Sequence, residues 1–226
     1  MAFRLPHFSD NLSPVSIVTP PPQTRGRRLT GEQRRRQLID VAAALFAERG
    51  FSSTTMDDVA EAAGVTKPLL YQHFSSKKAL YLELVDEVAN RILAAIAEAT
   101  ARAVGPRSQV EEGLRAYFAL VVADPASFKL LYDRDHGGDE ELGRAVRQVE
   151  RALVGAIDPL IDAGLDAEHR VFLAAGLVGM AEGASLAWID TRHVLLTDQS
   201  RKTESERLAR RMSSMLWAGL RSVRAD

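Results

Sequence analysis

From residue 30 onward, apolar residues recur with helical spacing. Leu38, Val41, Ala42, Leu45 and Phe46 fall at i, i+3, i+4, i+7 and i+8, which puts them on one face of a helix. Thr30 followed three residues on by Gln33 is a capping-box signature, and Gly50 closes the run. Thr54 or Thr55 then starts a short helix near Met56, with Asp57 and Asp58 in its positive first turn. Met56, Val59, Ala60 and Ala63 point inward, Gly64 ends this helix and Val65 links it onward. Thr66 caps a third helix to about His73 with Pro68 in its first turn, and Ser75 or Ser76 caps a long one from Lys77 to about Ala103.

The rear of the chain continues in the same period. Leu114, Phe118, Val121 and Val122 share a face, and Asp124-Pro125 starts a segment carrying Phe128, Leu131 and Tyr132. After a polar break from Asp133 to Glu141, a helix is predicted over Leu142 to Ala163 with Pro159 kinking it near its end. Asp166 caps a helix over Ala167 to Thr191. Its Gly176, Gly179 and Gly183, with Ala175 and Ala184, form a small-residue face expected to pack closely on another helix. Thr203 with Glu206 reads as the capping box of a last helix striped by Leu208, Met212, Met215, Leu216 and Leu220. Alternating β-branched runs and Asn-Gly turns are missing. The predicted fold class is all-α.

Composition narrows the chemistry. A chain of 226 residues without cysteine cannot be a disulfide scaffold, a Cys-ligated zinc or iron–sulfur protein, or a cysteine nucleophile enzyme. Residues 1–24 hold five of the nine prolines and lack an apolar signal core, so they read as a disordered leader. The most membrane-like stretch, Val171 to Ile189, contains Glu182 and is rich in Ala and Gly. That composition favours a buried helix over a bilayer span, and a soluble, cytoplasmic protein with no membrane partner is expected.

Charge is unevenly distributed. Residues 1–78 carry eleven basic and seven acidic side chains, whereas the remainder is net acidic. Six Arg and one Glu lie between Arg25 and Arg36. Arg34, Arg35 and Arg36 sit at a helix N-terminus, an unfavourable place for cations, and phosphate is the expected reason.

Two short helices joined by a Gly turn and held on a third describe a helix-turn-helix unit. Its second helix would present Thr66, Lys67, Pro68 and Leu69 to base edges, with Lys67 donating to guanine and Pro68 and Leu69 touching thymine methyls. Leu70 and Phe74 would face the core. Tyr71, His73, Lys77 and the Thr55 cap region would position the helix on phosphates. A flexible arm with Arg25, Arg27 and Arg28 could reach an adjacent minor groove.

The run Phe46-Ala-Glu-Arg-Gly50-Phe51, then Thr54-Thr55-Met56, Val59-Ala60, Ala63-Gly64-Val65-Thr66 and Leu70-Tyr71-Gln72-His73-Phe74-Ser75-Ser76-Lys77, closely resembles the DNA-binding domain of TetR-family regulators. The resemblance covers about residues 30–80. It implies a homodimer on a double-stranded DNA operator, with Lys67, Pro68, Leu69 and Tyr71 near bases and Thr55, His73 and Lys77 near phosphates. One departure is Gln72, which stands where many relatives carry an aromatic. The implied domains are a leader over 1–24, a helix-turn-helix domain with basic arm over 25–78, and an effector-binding and dimerisation domain over 79–226, the last two helices supplying the dimer interface.

Phe118, Val122, Phe128, Leu131, Tyr132, Phe172 and Trp188 are the candidate pocket lining, with plain core packing as the competing account. Buried charge clusters are missing from this region, so a small hydrophobic effector is expected. The segment Ala116 to Asp135, with Gly176 to Met180, resembles actinobacterial regulators of fatty-acid synthase genes that sense long-chain acyl-CoA. That likeness suggests a long-chain acyl-CoA or fatty acid as effector. Asp133, Asp135, His136, Asp139 and Glu140 lack a metal-ligand spacing, so neither a metal nor a cofactor is expected. A helical enzyme, or a binding or scaffold protein that does not read DNA, are the alternatives. Five scattered His and the lack of phosphate-loop, HExxH or GxSxG motifs speak against the enzyme.

Overall fold

Local punctuation sets the helix boundaries. A computed structural model describes residues 29–132, 139–161, 164–191 and 197–220, and among these every regular element is helical. Helix α1 spans Gly31–Arg49, with Thr30 and Gln33 making both bonds of the capping box and Gly50 closing it at φ 83°. Helix α2 (Met56–Ala62) is capped by Thr55, again with a reciprocal partner in Asp58. Helix α3 (Lys67–His73) begins at Thr66, whose backbone occupies the cap position without a side-chain bond, so the expected Thr66 cap is a backbone one. Helices α4 (Lys77–Ala101), α5 (Pro106–Ala123) and α6 (Pro125–Tyr132) follow, α4 starting on the Ser76 hydroxyl.

The rear helices depart from the sequence reading in informative ways. Helix α7 covers Glu140–Ile157, starting on the Asp139 carboxylate, and Pro159 sits in a separate 3-10 turn over Asp158–Leu160. The expected kink is thus a helix end, since proline denies the next turn its N–H. Helix α8 spans Ala167–Thr191, with Asp166 accepting from the His169 N–H at 2.8 Å. Helix α9 spans Asp198–Leu220 and is capped by Thr197, which accepts from the Ser200 N–H. Thr203 lies inside it and bonds back to the Gln199 carbonyl at 3.0 Å, so the Thr203–Glu206 capping box is not formed.

Helix α4 is the common core element, packing on α1, α5, α6 and α7, while α5 lies along α9 and α1 also meets α6. Tyr81 on α4 is buried against Phe46 and Phe51, with ring centroids 5.7 and 5.0 Å away, and donates to the Leu130 carbonyl on α6 at 3.0 Å. One core therefore runs continuously from the front helices to the rear ones.

Among the described residues, nothing packs on the small-residue face of α8. A Cβ added at Gly176, Gly179 or Gly183 would meet nothing within 4 Å, and Phe172 on the same helix is 73% exposed. Met215 on α9 is likewise exposed, while Met212 and Leu216 are buried. By length and composition α8 could cross a membrane.

Candidate nucleic-acid interface and effector cavity

Helices α2 and α3 meet through a turn that fixes their angle. Gly64 adopts φ 63°, a left-handed conformation that a side chain disfavours, and the Val65 N–H donates back to the Ala60 carbonyl at 2.9 Å. Leu70 and Phe74 are buried beneath α3, as expected of its inner face. The outer face presents Thr66, Lys67, Pro68, Tyr71 and Gln72 to solvent, with Leu69 and His73 half-buried.

Lys67 does not project freely. Its ammonium lies 2.7 Å from one Asp57 carboxylate oxygen and 2.8 Å from the other, which holds it above the usual lysine range. Both partners are more than half exposed, so solvent screening keeps this pair weak and exchangeable for another acceptor. Thr55 is engaged with Asp58 through both its N–H and its hydroxyl, at 2.8 and 2.6 Å. Those bonds hold the Asp58 carboxylate below the usual range, and Arg49 approaches it to 3.8 Å.

Two cations that the sequence suggested for phosphate have intramolecular work. Lys77 donates to the carbonyls of Phe51, Ser52 and Thr54 at 2.7, 3.3 and 2.8 Å and sits 4.4 Å from the Phe51 ring centroid. Three ammonium protons meet three loop carbonyls, so Lys77 staples the α1–α2 loop to α4. Burial pushes its ammonium below the usual lysine range. Arg35 makes a two-pronged pair with Glu83 on α4, donates to the His73 carbonyl at 2.7 Å and stacks over Phe74. It thereby rivets α1, the end of α3 and α4 together. Arg34 bonds Gln37 at 2.6 Å, and Arg36 lies 3.9 Å from Glu87. Packing of α1 on α4 thus engages Arg35 and Arg36, while Arg34 bonds within its own helix. Arg25, Arg27 and Arg28 lie outside the described residues.

Behind the front helices, two polar junctions tie α4 to the rear helices. Lys78 pairs with Asp139 at 3.0 Å and Glu141 at 2.5 Å, joining the first turn of α4 to the first turn of α7. Arg91 donates to Asp124 at 2.7 Å, and Asp124 also caps α6.

The rear helices enclose a cavity of about 300 Å³. It is bordered by α4 (Ile96, Thr100), α5 (Pro106 to Tyr117), α7 (Leu153, Ile157), then Leu160, Ile161 and Leu165, α8 (Leu173 to Ala181) and Trp217 of α9. Along α5 it extends roughly 16 Å, the rise from Pro106 to Tyr117. Of the seven candidate lining residues, Tyr132 alone borders it. Phe118, Val122, Phe128 and Leu131 are solid core, Trp188 is buried and donates to Glu204 at 3.2 Å, and Phe172 is on the surface. The aromatic count located the core; the cavity lies where small and aliphatic side chains fail to fill the gap. Tyr117, missed in the sequence, announces itself only as a hydroxyl in the apolar run of α5.

Tyr117 and Tyr132 meet hydroxyl to hydroxyl at 2.9 Å, and Tyr117 meets Ser185 at 3.1 Å. Burial pushes both phenols above the usual range, so they remain neutral hydrogen-bonding groups. The Thr100 hydroxyl donates to the Ile96 carbonyl of its own helix at 2.8 Å. Asp139 and Glu140 are engaged at the start of α7, and among the described residues no metal-binding cluster forms. Asp133, Asp135 and His136 lie outside them.

Comparison with known proteins agrees with this geometry. Residues 38–84 match the model of bacterial regulatory proteins of the tetR family, and residues 106–219 match a tetracyclin repressor-like C-terminal domain. The HTH-type transcriptional activator FasR of Mycolicibacterium smegmatis is 31% identical over 168 residues, covering 74% of this chain and 77% of FasR. A TetR-like transcriptional regulator from Rhodococcus sp. RHA1 has the same fold at a TM-score of 0.70, with 24% identity over 87% of this chain and 100% of that one. FadR from Bacillus subtilis, solved in complex with stearoyl-CoA, superimposes at a TM-score of 0.61, with 16% identity over 79% of this chain and 97% of its own. With both of its halves matched, the chain belongs to the TetR family and is a DNA-binding transcriptional regulator, not an enzyme.

Proposed function

We propose that the protein works as a cytoplasmic homodimer that reads two half-sites of an operator and changes its grip when a small hydrophobic molecule enters the rear cavity. The division is residues 25–78 for DNA and 79–226 for effector and dimer contacts. The observation that carries the reading is the outer face of α3: Thr66, Lys67, Pro68 and Tyr71 are exposed on a helix held from behind by Arg35 and Leu70. Lys67 exchanges Asp57 for a guanine edge, Pro68 and Leu69 meet thymine methyls, and Tyr71, His73 and Thr55 lie near phosphates. The arm with Arg25, Arg27 and Arg28 adds charge in the neighbouring groove.

The exposed face of α8, with Phe172 and the three glycines, supports pairing of two copies rather than contact with lipid. An acyl-type effector, a fatty acid or long-chain acyl-CoA, is supported by the apolar lining of the cavity and by the stearoyl-CoA held in the B. subtilis FadR structure. Occupancy acts through α4, which borders the cavity at Ile96 and Thr100 and begins at Lys77 behind α3. The test is a gel-shift series with the upstream DNA of its own gene against random duplex. Specific binding that weakens steeply with salt supports the reading, and equal binding to both duplexes refutes it.

A further inference from the structure

Along α5 the cavity lining grades from solvent to core. Pro106 is exposed, Gln109, Val110 and Gly113 are half-buried, and Leu114 and Tyr117 are buried. On α8 the half-buried Leu173 gives way to the buried Val178 and Ala181. A chain reaching in from the exposed end therefore passes Gly113 before it meets Leu114 and the paired hydroxyls of Tyr117 and Tyr132.

Gly113 lies inside α5 with ordinary helical backbone, where glycine is disfavoured relative to alanine. Packing explains it. A Cβ at this position would come within 3.3 Å of Thr100 Cγ2 on α4, closer than ordinary van der Waals contact. Among the described glycines the other crowded one is Gly143, whose neighbour is Arg147 of its own helix. The missing side chain at 113 thus lets α4 and α5 close on each other beside the cavity. Thr100 is held in this contact, because it is buried and its hydroxyl donates to the Ile96 carbonyl at 2.8 Å, with the Ala97 carbonyl at 3.3 Å. One torsion carries both the hydroxyl and the methyl, so anchoring the first sets the second against Gly113. Both residues border the cavity. A longer side chain at 113, blocked by that methyl, turns into the space.

We infer that Gly113, backed by Thr100, sets how long an effector chain the cavity accepts, the tail lying toward Tyr117 and Tyr132 and the head at the Pro106 end. The inference rests on the cavity being the effector site and names chain length as the property it selects. The depth at stake is about 6 Å, the rise from Gly113 to Tyr117, or roughly four to five carbons of an extended chain.

The experiment is calorimetric titration of the full-length protein with octanoyl-, decanoyl-, dodecanoyl- and hexadecanoyl-CoA and the matching free acids, each below its micellar concentration. In the parent, affinity is expected to rise about fourfold per methylene until the tail reaches the closed end, and then to level off. In Gly113→Leu the levelling point should come roughly four carbons earlier. Octanoyl binding should stay within about twofold, while dodecanoyl binding weakens at least about tenfold. Gly113→Ala should weaken dodecanoyl binding about threefold. Adding Thr100→Ser, which removes the opposing methyl and keeps the hydroxyl, should restore it to within about twofold. This second pair carries the test should circular dichroism show Gly113→Leu unfolded. An unmoved levelling point in folded Gly113→Leu, equal weakening at every length, no loss in Gly113→Ala or no rescue by Thr100→Ser overturns the inference and leaves the effector site standing. Binding of no acid and no acyl-CoA, with operator binding intact, removes the cavity as an acyl site and the inference with it.

Discussion

The two ends of this molecule are held by different forces. The front is cross-tied by polar side chains to backbone: Lys77 closes on three loop carbonyls, Arg35 reaches the His73 carbonyl, and the buried Thr54 hydroxyl donates to the Gly50 carbonyl at 2.9 Å. The rear relies on apolar contact around an incompletely filled space. Directional bonds of this kind fix α3 in one pose, whereas a loosely filled aliphatic interior can close or open at modest cost. A reader of DNA needs the first property, and a sensor of small molecules needs the second. The contrast matches the proposed division of labour between the front and the rear.

The largest expected effect comes from the outer face of the rear. In the proposed dimer, Phe172→Asp would place two carboxylates in a symmetric contact and remove apolar burial of about 1.5–3 kcal/mol per ring. Sedimentation velocity should show monomers at concentrations where the parent is dimeric, with operator binding lost. A variant that stays dimeric would move the interface elsewhere. Next, Lys77→Met strips the loop of its staple, at about 2 kcal/mol for the lost charge-assisted bonds. Thermal unfolding should begin about 4–8 °C lower for a chain of this size. Unchanged Tm would mean the front is not cross-tied as described.

Lys67→Ala should flatten base preference roughly tenfold or more in competition binding while leaving Tm in place, and Asp57→Asn should strengthen DNA binding slightly. Filling the cavity with Leu177→Trp should abolish the response to any effector yet keep operator affinity; a retained response would place the sensor elsewhere. The smallest effect concerns Asp40, whose carboxyl is raised chiefly by desolvation and then by Asp124, against the pull of Arg91 and Arg36. A carboxyl with a raised folded-state pKa binds its proton more tightly when folded. Its charged form therefore costs stability above the ordinary aspartate range, and that cost disappears as pH falls through the range. Asp40→Asn should raise Tm marginally at neutral pH and lose that advantage in acid.

Much of the front was legible in the sequence because its determinants are local. Thr30 with Gln33, Gly50, and Gly64 act on backbone within four residues of themselves, so spacing alone reveals them. The loop contacts of Lys77 were not legible, because its partners, Phe51 to Thr54, are distant in the chain and offer carbonyls that every residue possesses. At the rear, Thr203–Glu206 had the pattern of a cap, but Thr197 lies one turn and a half earlier and nucleates the helix first. The cavity was hidden for a different reason. Phe118 and Phe128 pack so well that they leave no room, and the space opens beside Leu153, Leu173 and Leu177. A void is a property of assembled shapes and leaves no composition of its own. Phe172 shows the same limit in reverse: an apolar residue at a helical register has no sign of whether its neighbour belongs to the same chain.

Lys77 and Lys78 are consecutive, yet one grips the loop that leads into the DNA-reading helices and the other grips the start of a cavity-wall helix. A single peptide unit at the head of α4 thus serves as a hinge pin common to both halves. Any tilt of α7 is delivered beside the loop that seats the reading head, without having to travel the length of the molecule.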